Sequence, residues 1–311
     1  MKIYHHFSEF RKLNKAVVTI GTFDGVHHGH QKIIKRLCET AKATGGESVI
    51  LTFFPHPRLI IDPENQDLKM INTVREKAEI LEQLGVDHLI ITPFTRDFSN
   101  MPPDEYVRDI LVGTIGVKHL IVGYDHRFGK NRQGGMPQLE AFSRQYHFTL
   151  EEIPEQDIND VAVSSTKIRK ALMNGEVALA AKYLGYYFSL RGPVVKGDKI
   201  GRTIGYPTAN IFIEETYKLI PSDGIYAVTI EMGDETFRGM AYIGQRPTIN
   251  GMTRNIEVNI FDFNREIYGQ EVKMNFMAFL RHDVKFTGLE ALMEQLGKDK
   301  EATLAYFNKM S

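Results

Sequence analysis

The chain has 311 residues, 42% of them hydrophobic and 25% charged, enough for two globular domains with real cores. A formal net charge of -1 excludes a global field that would draw it onto nucleic acid or an anionic membrane, and a single cysteine, Cys38, excludes an internal disulfide. No apolar run approaches ~18 residues and MKIYHHFSEFRKL lacks the apolar core of a signal peptide, so a reducing cytoplasmic setting is expected.

The first half alternates short apolar runs with helical patterns. Strands are expected at Ala16–Ile20, Ser48–Phe53, His88–Thr92, His119–Val122 and Thr149–Ile153. Helices are expected at Gln31–Lys42, where Ile33, Ile34, Leu37 and Ala41 share a face, at Val74–Leu84 and at Asp104–Leu111. Thr73, with Glu76 three residues on, has capping-box spacing, and Gly85 suits the stop. Phe53 and Phe54 read as sheet core. Such alternation predicts a Rossmann-like parallel sheet with helices on both faces, binding ligands beyond the carboxyl ends of its strands.

Ser165–Asn174 and Glu176–Leu184 read as two short helices, each followed by glycine. Beyond Gly185 the pattern turns to β: Tyr187–Val195, Ile211–Ile213, Ile225–Glu231, Thr236–Ile243, Ile256–Asp262 and Glu271–Phe279, with a hairpin turn at Gly233-Asp234. Six short strands without helices between them predict a small antiparallel barrel. A helical tail, Leu289–Lys309, presents Leu289, Leu292 and Leu296 as a stripe expected to cover it. The domain boundary is expected near 184–187, giving 1–184 and 185–311.

The stretch GTFDGVHHGHQ carries H-x-G-H at His27, Gly29 and His30, between a strand and a helix start. Free N–H groups and the helix dipole favour an anion there, and Gly29 lets backbone approach it. Two imidazoles then donate to oxygens that gain charge during phosphoryl or nucleotidyl transfer, a reason other than capping for placing them there. A zinc site has no cysteine partner nearby, a merely structural cluster stays open on the motif alone, and no Walker A loop occurs. In SSTKIRKAL, Ser164 and Thr166 put hydroxyls at a helix start with Arg169 one turn in, a set that suits phosphate oxygens or a plain cap. In the β-rich half, Thr208 and Asn210 are hard oxygen ligands suited to Mg²⁺, Gly201 and Gly205 permit a loop over phosphates, and Glu257 faces opposite to Ile256 and Val258 on its strand. Read alone, such a strand carboxylate is either a general base or a solvated face.

In order, GTFDGVHHGHQ, TFFPHP, VGYDHRFG and SSTKIR resemble the adenylyltransferase module of bacterial FAD synthetases. GRTIGYPTANI and FLRHDVKF resemble the riboflavin kinase module that follows in these bifunctional enzymes. The resemblance spans nearly the whole chain. It implies that His27 and His30 stabilise ATP phosphates, and that Gly21, Phe23, Gly29, Asp125, Ser164, Thr166 and Arg169 bind ATP in the first module. Pro55, His56 and Pro57 would line the site near FMN. In the second module it implies Glu257 as general base, Gly201, Thr208 and Asn210 at ATP, Thr208 and Asn210 at Mg²⁺, and Arg281 on the flavin side or ordering a flap. Asn259 stands where many relatives have histidine, and Tyr124 where many have glutamate. The implied substrates are ATP, riboflavin and FMN. A nucleotidyltransferase with another acceptor and a binding-only barrel is the alternative, and a non-catalytic flavin-binding regulator is a third reading.

Overall fold

In the computed structural model, which describes residues 1–62, 64, 67–154, 163–197, 200–244 and 254–310, contacts divide the chain into two compact units, Met1–Ser165 and Thr166–Ser311.

The first unit holds β1 (Lys2–Tyr4), β2 (Ala16–Ile20), β3 (Glu47–Phe53), β4 (His88–Thr92), β5 (Val117–Gly123) and β6 (Thr149–Ile153). They form one parallel sheet in the order β1-β4-β3-β2-β5-β6. Every residue of β2 and β4 is buried, as strands covered on both faces must be. On one face Val17, Ile50 and Leu89 pack with α1 (His28–Thr44) and α2 (Val74–Gln83) through Ile34, Leu37, Ala78 and Leu81. On the other, Val18, Leu51 and Leu120 pack with Val107, Ile110 and Leu111 and with Leu139 of α3 (Met136–Tyr146). The Thr73/Glu76 capping box is formed reciprocally: Glu76 N–H donates to Thr73 Oγ1 at 3.1 Å and Thr73 N–H to Glu76 Oε2 at 2.8 Å.

Strand order reverses between β2 and β5, which makes the crevice at their carboxyl ends the switch point of the sheet. The helix expected at Asp104–Leu111 takes another form. Pro103–Glu105 is one α-helical turn and Tyr106–Ile115 is π-helical. Two bonds reaching back five residues, Thr114 Oγ1 to the Asp109 carbonyl at 2.8 Å and Gly116 N–H to the Leu111 carbonyl at 2.9 Å, suit the wider turn.

The second unit begins with α4 (Ser165–Met173, from its second residue) and α5 (Val177–Leu184). Then β7 (Ser189–Val195), β8 (Ala209–Ile211), β9 (Gly224–Met232), β10 (Glu235–Gly244), β11 (Asn255–Ile260) and β12 (Glu271–Arg281) close a barrel in the order β10-β11-β8-β7-β12-β9, every neighbouring pair antiparallel. Gly233, at φ 57°, turns the β9–β10 hairpin. The final helix, α6 (Leu289–Met310), bears out the expected stripe at Leu292 and Leu296, which face the barrel cavity, and corrects it at Leu289. Its buried residues are Asp299, Thr303 and Phe307, whereas Leu289 is 53% exposed. Phe307 packs with Ala227 and Met277, and Tyr306 donates its hydroxyl to the Met277 carbonyl at 3.1 Å. The fully buried positions thus lie about three turns further along and include a carboxylate, which an apolar pattern does not reveal.

Candidate active sites

The chain leaves β2 through Gly21 and enters a run in which Phe23, Gly25 and Val26 have φ of 45°, 84° and 34°. A left-handed β-branched residue is a genuine outlier, and such strain concentrates at functional loops. Asp24, buried in this run, accepts the N–H groups of Ile71 at 3.0 Å and Asn72 at 3.4 Å. Ser165 donates its hydroxyl to the Asp24 carbonyl at 2.9 Å.

His27 does cap α1, contrary to the expectation that the histidines are there for another reason than capping. Its Nδ1 accepts the His30 N–H at 3.4 Å. The neutral ring therefore carries its proton on Nε2, which is left to donate outward. Capping and phosphate binding use opposite edges of one imidazole, so both roles are compatible. The His27 and His30 rings stack at 3.7 Å and 16°, and Phe23 meets His30 edge-on at 5.2 Å. Burial pushes His27 down to about 4, with His28 adding to the fall, and burial holds His30 well below the ordinary imidazole value. Both rings are neutral donors at pH 7.

Five buried side-chain atoms lack a hydrogen-bond partner among the described residues; besides Thr40 Oγ1 on α1 they are His30 Nδ1, Thr92 Oγ1, Tyr106 Oη and His126 Nε2. The last four belong to residues after β2, at the end of β4, on the π-helical stretch and after β5. Around them runs an aromatic cluster. Phe53 meets Phe94 and Phe98 at 5.4 Å, Phe98 meets Tyr106 at 6.0 Å, and Phe128 lies 5.7 Å from Tyr106 and 5.9 Å from His126. Phe53 ends β3 and packs half-buried against the sheet core as the apolar run suggested, whereas Phe54 is 36% exposed and is not core. His56 caps the short helix Pro57–Ile61, its Nδ1 accepting the Arg58 N–H at 3.1 Å, and Pro55 follows a cis peptide bond. Asp125 is exposed beside half-buried His126. Ser164 is half-buried, Thr166 exposed and Arg169 half-buried on α4.

In the barrel unit one cavity of about 320 Å³ gathers most of the expected residues: Gly201, Thr208, Asn210, Glu257 and Arg281. Tyr206, Tyr242 and Phe286 add aromatic walls, and Leu292 and Leu296 of α6 contribute apolar surface. Glu257 stands opposite Asn210 in the β11–β8 register, while Ile256 and Val258 are buried on the other side of the strand. Thr208 Oγ1 donates to Glu257 Oε2 at 3.0 Å, and Asn255 donates to Oε1. Asn259 is buried and donates to the Pro207 carbonyl at 2.7 Å, which pins the segment that carries Thr208. A Cβ on Gly201 would lie 2.2 Å from the Tyr206 carbonyl oxygen, so only glycine fits there. The Arg281 guanidinium is committed: Nε and Nη2 hold the buried Asp299 carboxylate at 2.7 and 2.6 Å, and Nη1 donates to the His282 carbonyl at 2.9 Å.

The FAD synthetase family matches residues 9–167 and the riboflavin kinase family residues 184–307. Proteins named bifunctional riboflavin kinase/FMN adenylyltransferase are 40% identical in Listeria monocytogenes, over 97% of this chain and 95% of that one, and 36% identical in Bacillus subtilis, over 95% and 94%. The chain belongs to the bifunctional riboflavin kinase/FMN adenylyltransferase family. The relative in Haemophilus influenzae is 38% identical over 96% of each chain. A crystal structure named a macrolide-efflux protein from Streptococcus pneumoniae matches with a TM-score of 0.87 at 31% identity, over 97% of this chain and 98% of that one. That name describes the other protein. In this family member, no helix among the described residues is long and apolar enough to cross a membrane.

Three features of the candidate sites escaped the sequence reading: the aromatic cluster, the Asp299 partner of Arg281 and the donor Asn255. The first two join residues far apart in sequence, and Asn255 belongs to no motif. The histidine chemistry also has a pH consequence. His27 is held below its unfolded value of 6.5, so the unfolded chain binds more protons between about pH 4 and 6.5. The resulting stability is full above 6.5 and is lost as pH falls toward 4. In a proton NMR titration, the His27 ring should not titrate above about pH 5. A midpoint near 6.5 would contradict the buried, neutral assignment.

Proposed function

We infer that the two chemistries reside in separate units: the barrel phosphorylates riboflavin to FMN, and the parallel-sheet unit adenylylates FMN to FAD. The observation that carries this reading is the segregation itself. The carboxylate with its hydroxyl and amide neighbours lies in the barrel cavity, and the neutral histidine pair lies at the switch point of the sheet.

In the barrel, Glu257 is positioned to take the proton of riboflavin's primary hydroxyl as that oxygen attacks the γ-phosphorus of ATP and ADP leaves. Tyr206, Tyr242 and Phe286 supply flat surface for the flavin ring. The oxygen donors Thr208 and Asn210 fit Mg²⁺, which keeps most of its water and binds through few protein ligands plus phosphates. When bound, the ion neutralises phosphate charge. Arg281, tied to Asp299, orders the wall of the cavity.

In the sheet unit, an FMN phosphate oxygen attacks the α-phosphorus of ATP, the bond to the bridging oxygen breaks and pyrophosphate leaves. His27 Nε2 and the α1 N-terminus face the developing charge. Gly21, Phe23 and Gly29 shape the loop, and Asp125 and Ser164 complete the ATP side. Pro55, His56 and Pro57 lie on the FMN side, and the aromatic cluster with its unpartnered Tyr106 and His126 atoms offers the ring both stacking and hydrogen bonds. The free Cys38 fits a reducing cytoplasm.

Incubation with riboflavin and Mg-ATP, followed by chromatography of the flavins, tests the whole reading: FMN and then FAD should appear. FAD made from FMN without FMN made from riboflavin would leave the barrel a binding module. The division at 184/185 is tested with fragments. Residues 166–311 should phosphorylate riboflavin as the full chain does. Residues 185–311 should do so with a lower melting temperature, because Leu172, Val177, Ala180 and Leu184 are buried on α4 and α5. A well-folded 166–311 fragment without activity would mean that the kinase site needs residues of the first unit.

A further inference from the structure

Lys77 lies in the first turn of α2, and its Nζ donates to the Thr22 carbonyl at 2.7 Å. Thr52 Oγ1 reaches the same oxygen at 3.3 Å. That carbonyl is the entry to the left-handed run at Phe23, Gly25 and Val26. Asp24, in the middle of the run, is held by Ile71 and Asn72, the residues that lead into the Thr73 cap of α2. One helix and its leading turn therefore grip the loop at two points. The loop delivers His27 and His30 directly.

We propose that Lys77 is a positioning residue for adenylyl transfer: its ammonium fixes the Thr22–Val26 run, and through it the stacked His27 and His30 rings, where they meet the triphosphate. The inference rests on adenylyl transfer by the sheet unit. A backbone run with two non-glycine residues in the left-handed region persists only where its surroundings over-determine it. A charged donor on a carbonyl is a stronger tether than the Thr52 hydroxyl.

The groups that face Lys77 from the packed elements are Asp24 on the loop and His30 on α1. On its own helix, Glu76 is engaged in the capping box. Burial brings the Lys77 ammonium down to about 8, and Asp24 opposes the fall. The sign follows: the tether is charged below about pH 8 and loses its charge above it. Arginine stays protonated throughout.

The test is FAD formation from FMN and Mg-ATP by the full-length protein, Lys77→Met and Lys77→Arg, from about pH 6 to about pH 10. Far-ultraviolet circular dichroism and thermal unfolding of each variant serve as the control for folding, and riboflavin phosphorylation as the control for enzyme concentration. Wild-type kcat should fall above about pH 8. Lys77→Met should lose about 10²-fold in kcat at pH 7, with KM for ATP and FMN within about threefold. Lys77→Arg should recover to within about tenfold of wild type and lose the alkaline fall. A Lys77→Met enzyme within about twofold of wild type overturns the proposal, as does a Lys77→Arg profile that keeps the alkaline fall. If Lys77→Met does not fold, the wild-type and Lys77→Arg profiles decide alone. Absence of FAD formation by the wild-type protein would instead overturn the assignment of adenylyl transfer.

Discussion

Glu257→Gln is expected to slow riboflavin phosphorylation by about 10²–10⁴-fold while FMN adenylylation continues. Glutamine keeps the shape of the side chain and can still accept the Thr208 hydroxyl, now 3.0 Å from Glu257. It has no carboxylate to take the proton of the attacking alcohol. The loss should appear in kcat, because nothing in the substitution removes cavity wall. FMN formed from riboflavin at the normal rate would make Glu257 a bystander. Adenylylation of supplied FMN is the internal control, since its proposed machinery lies in the other unit.

The reciprocal experiment is His30→Ala, expected to lower FAD formation by about 10²–10³-fold and leave FMN formation intact. The substitution removes a neutral ring stacked on His27 at 3.7 Å and contacted by Phe23. The His30 backbone N–H, which bonds to His27 Nδ1, survives, so the cap of α1 is retained. The measurement is the FMN-to-FAD rate of a variant with normal thermal unfolding and a normal riboflavin kinase rate. An unchanged FAD rate would sink the histidine assignment.

Features encoded locally were legible in the sequence. Strands buried on both faces read as apolar runs, so Ala16–Ile20 and His88–Thr92 coincide with β2 and β4 residue for residue. The Thr73/Glu76 box was readable because both partners lie within four residues. Features set by tertiary packing were not. β1 has three residues and no periodicity of its own, and it is a strand because β4 offers it an edge. The π-helical turn at Tyr106–Ile115 buries much the same apolar residues as an α-helix would, so the pattern cannot separate the two. His27 as a cap was missed because imidazole is not among the preferred capping side chains. Leu292 and Leu296 of α6 were legible as an apolar stripe, but the burial of Asp299 was not, because it depends on Arg281, eighteen positions earlier.

The closed ring of β7–β12 bears on how substrate preference in this family member can be changed. A one-residue slip of β11 would replace Glu257 by Ile256 or Val258 in the cavity, and in a ring that slip has to propagate through every neighbour. The wall bearing the carboxylate is therefore a poor target for redesign. Val284, Phe286, Leu292 and Leu296 line the same cavity but lie outside the ring. Libraries aimed at a bulkier or more polar alcohol should vary those four positions and keep the strands fixed.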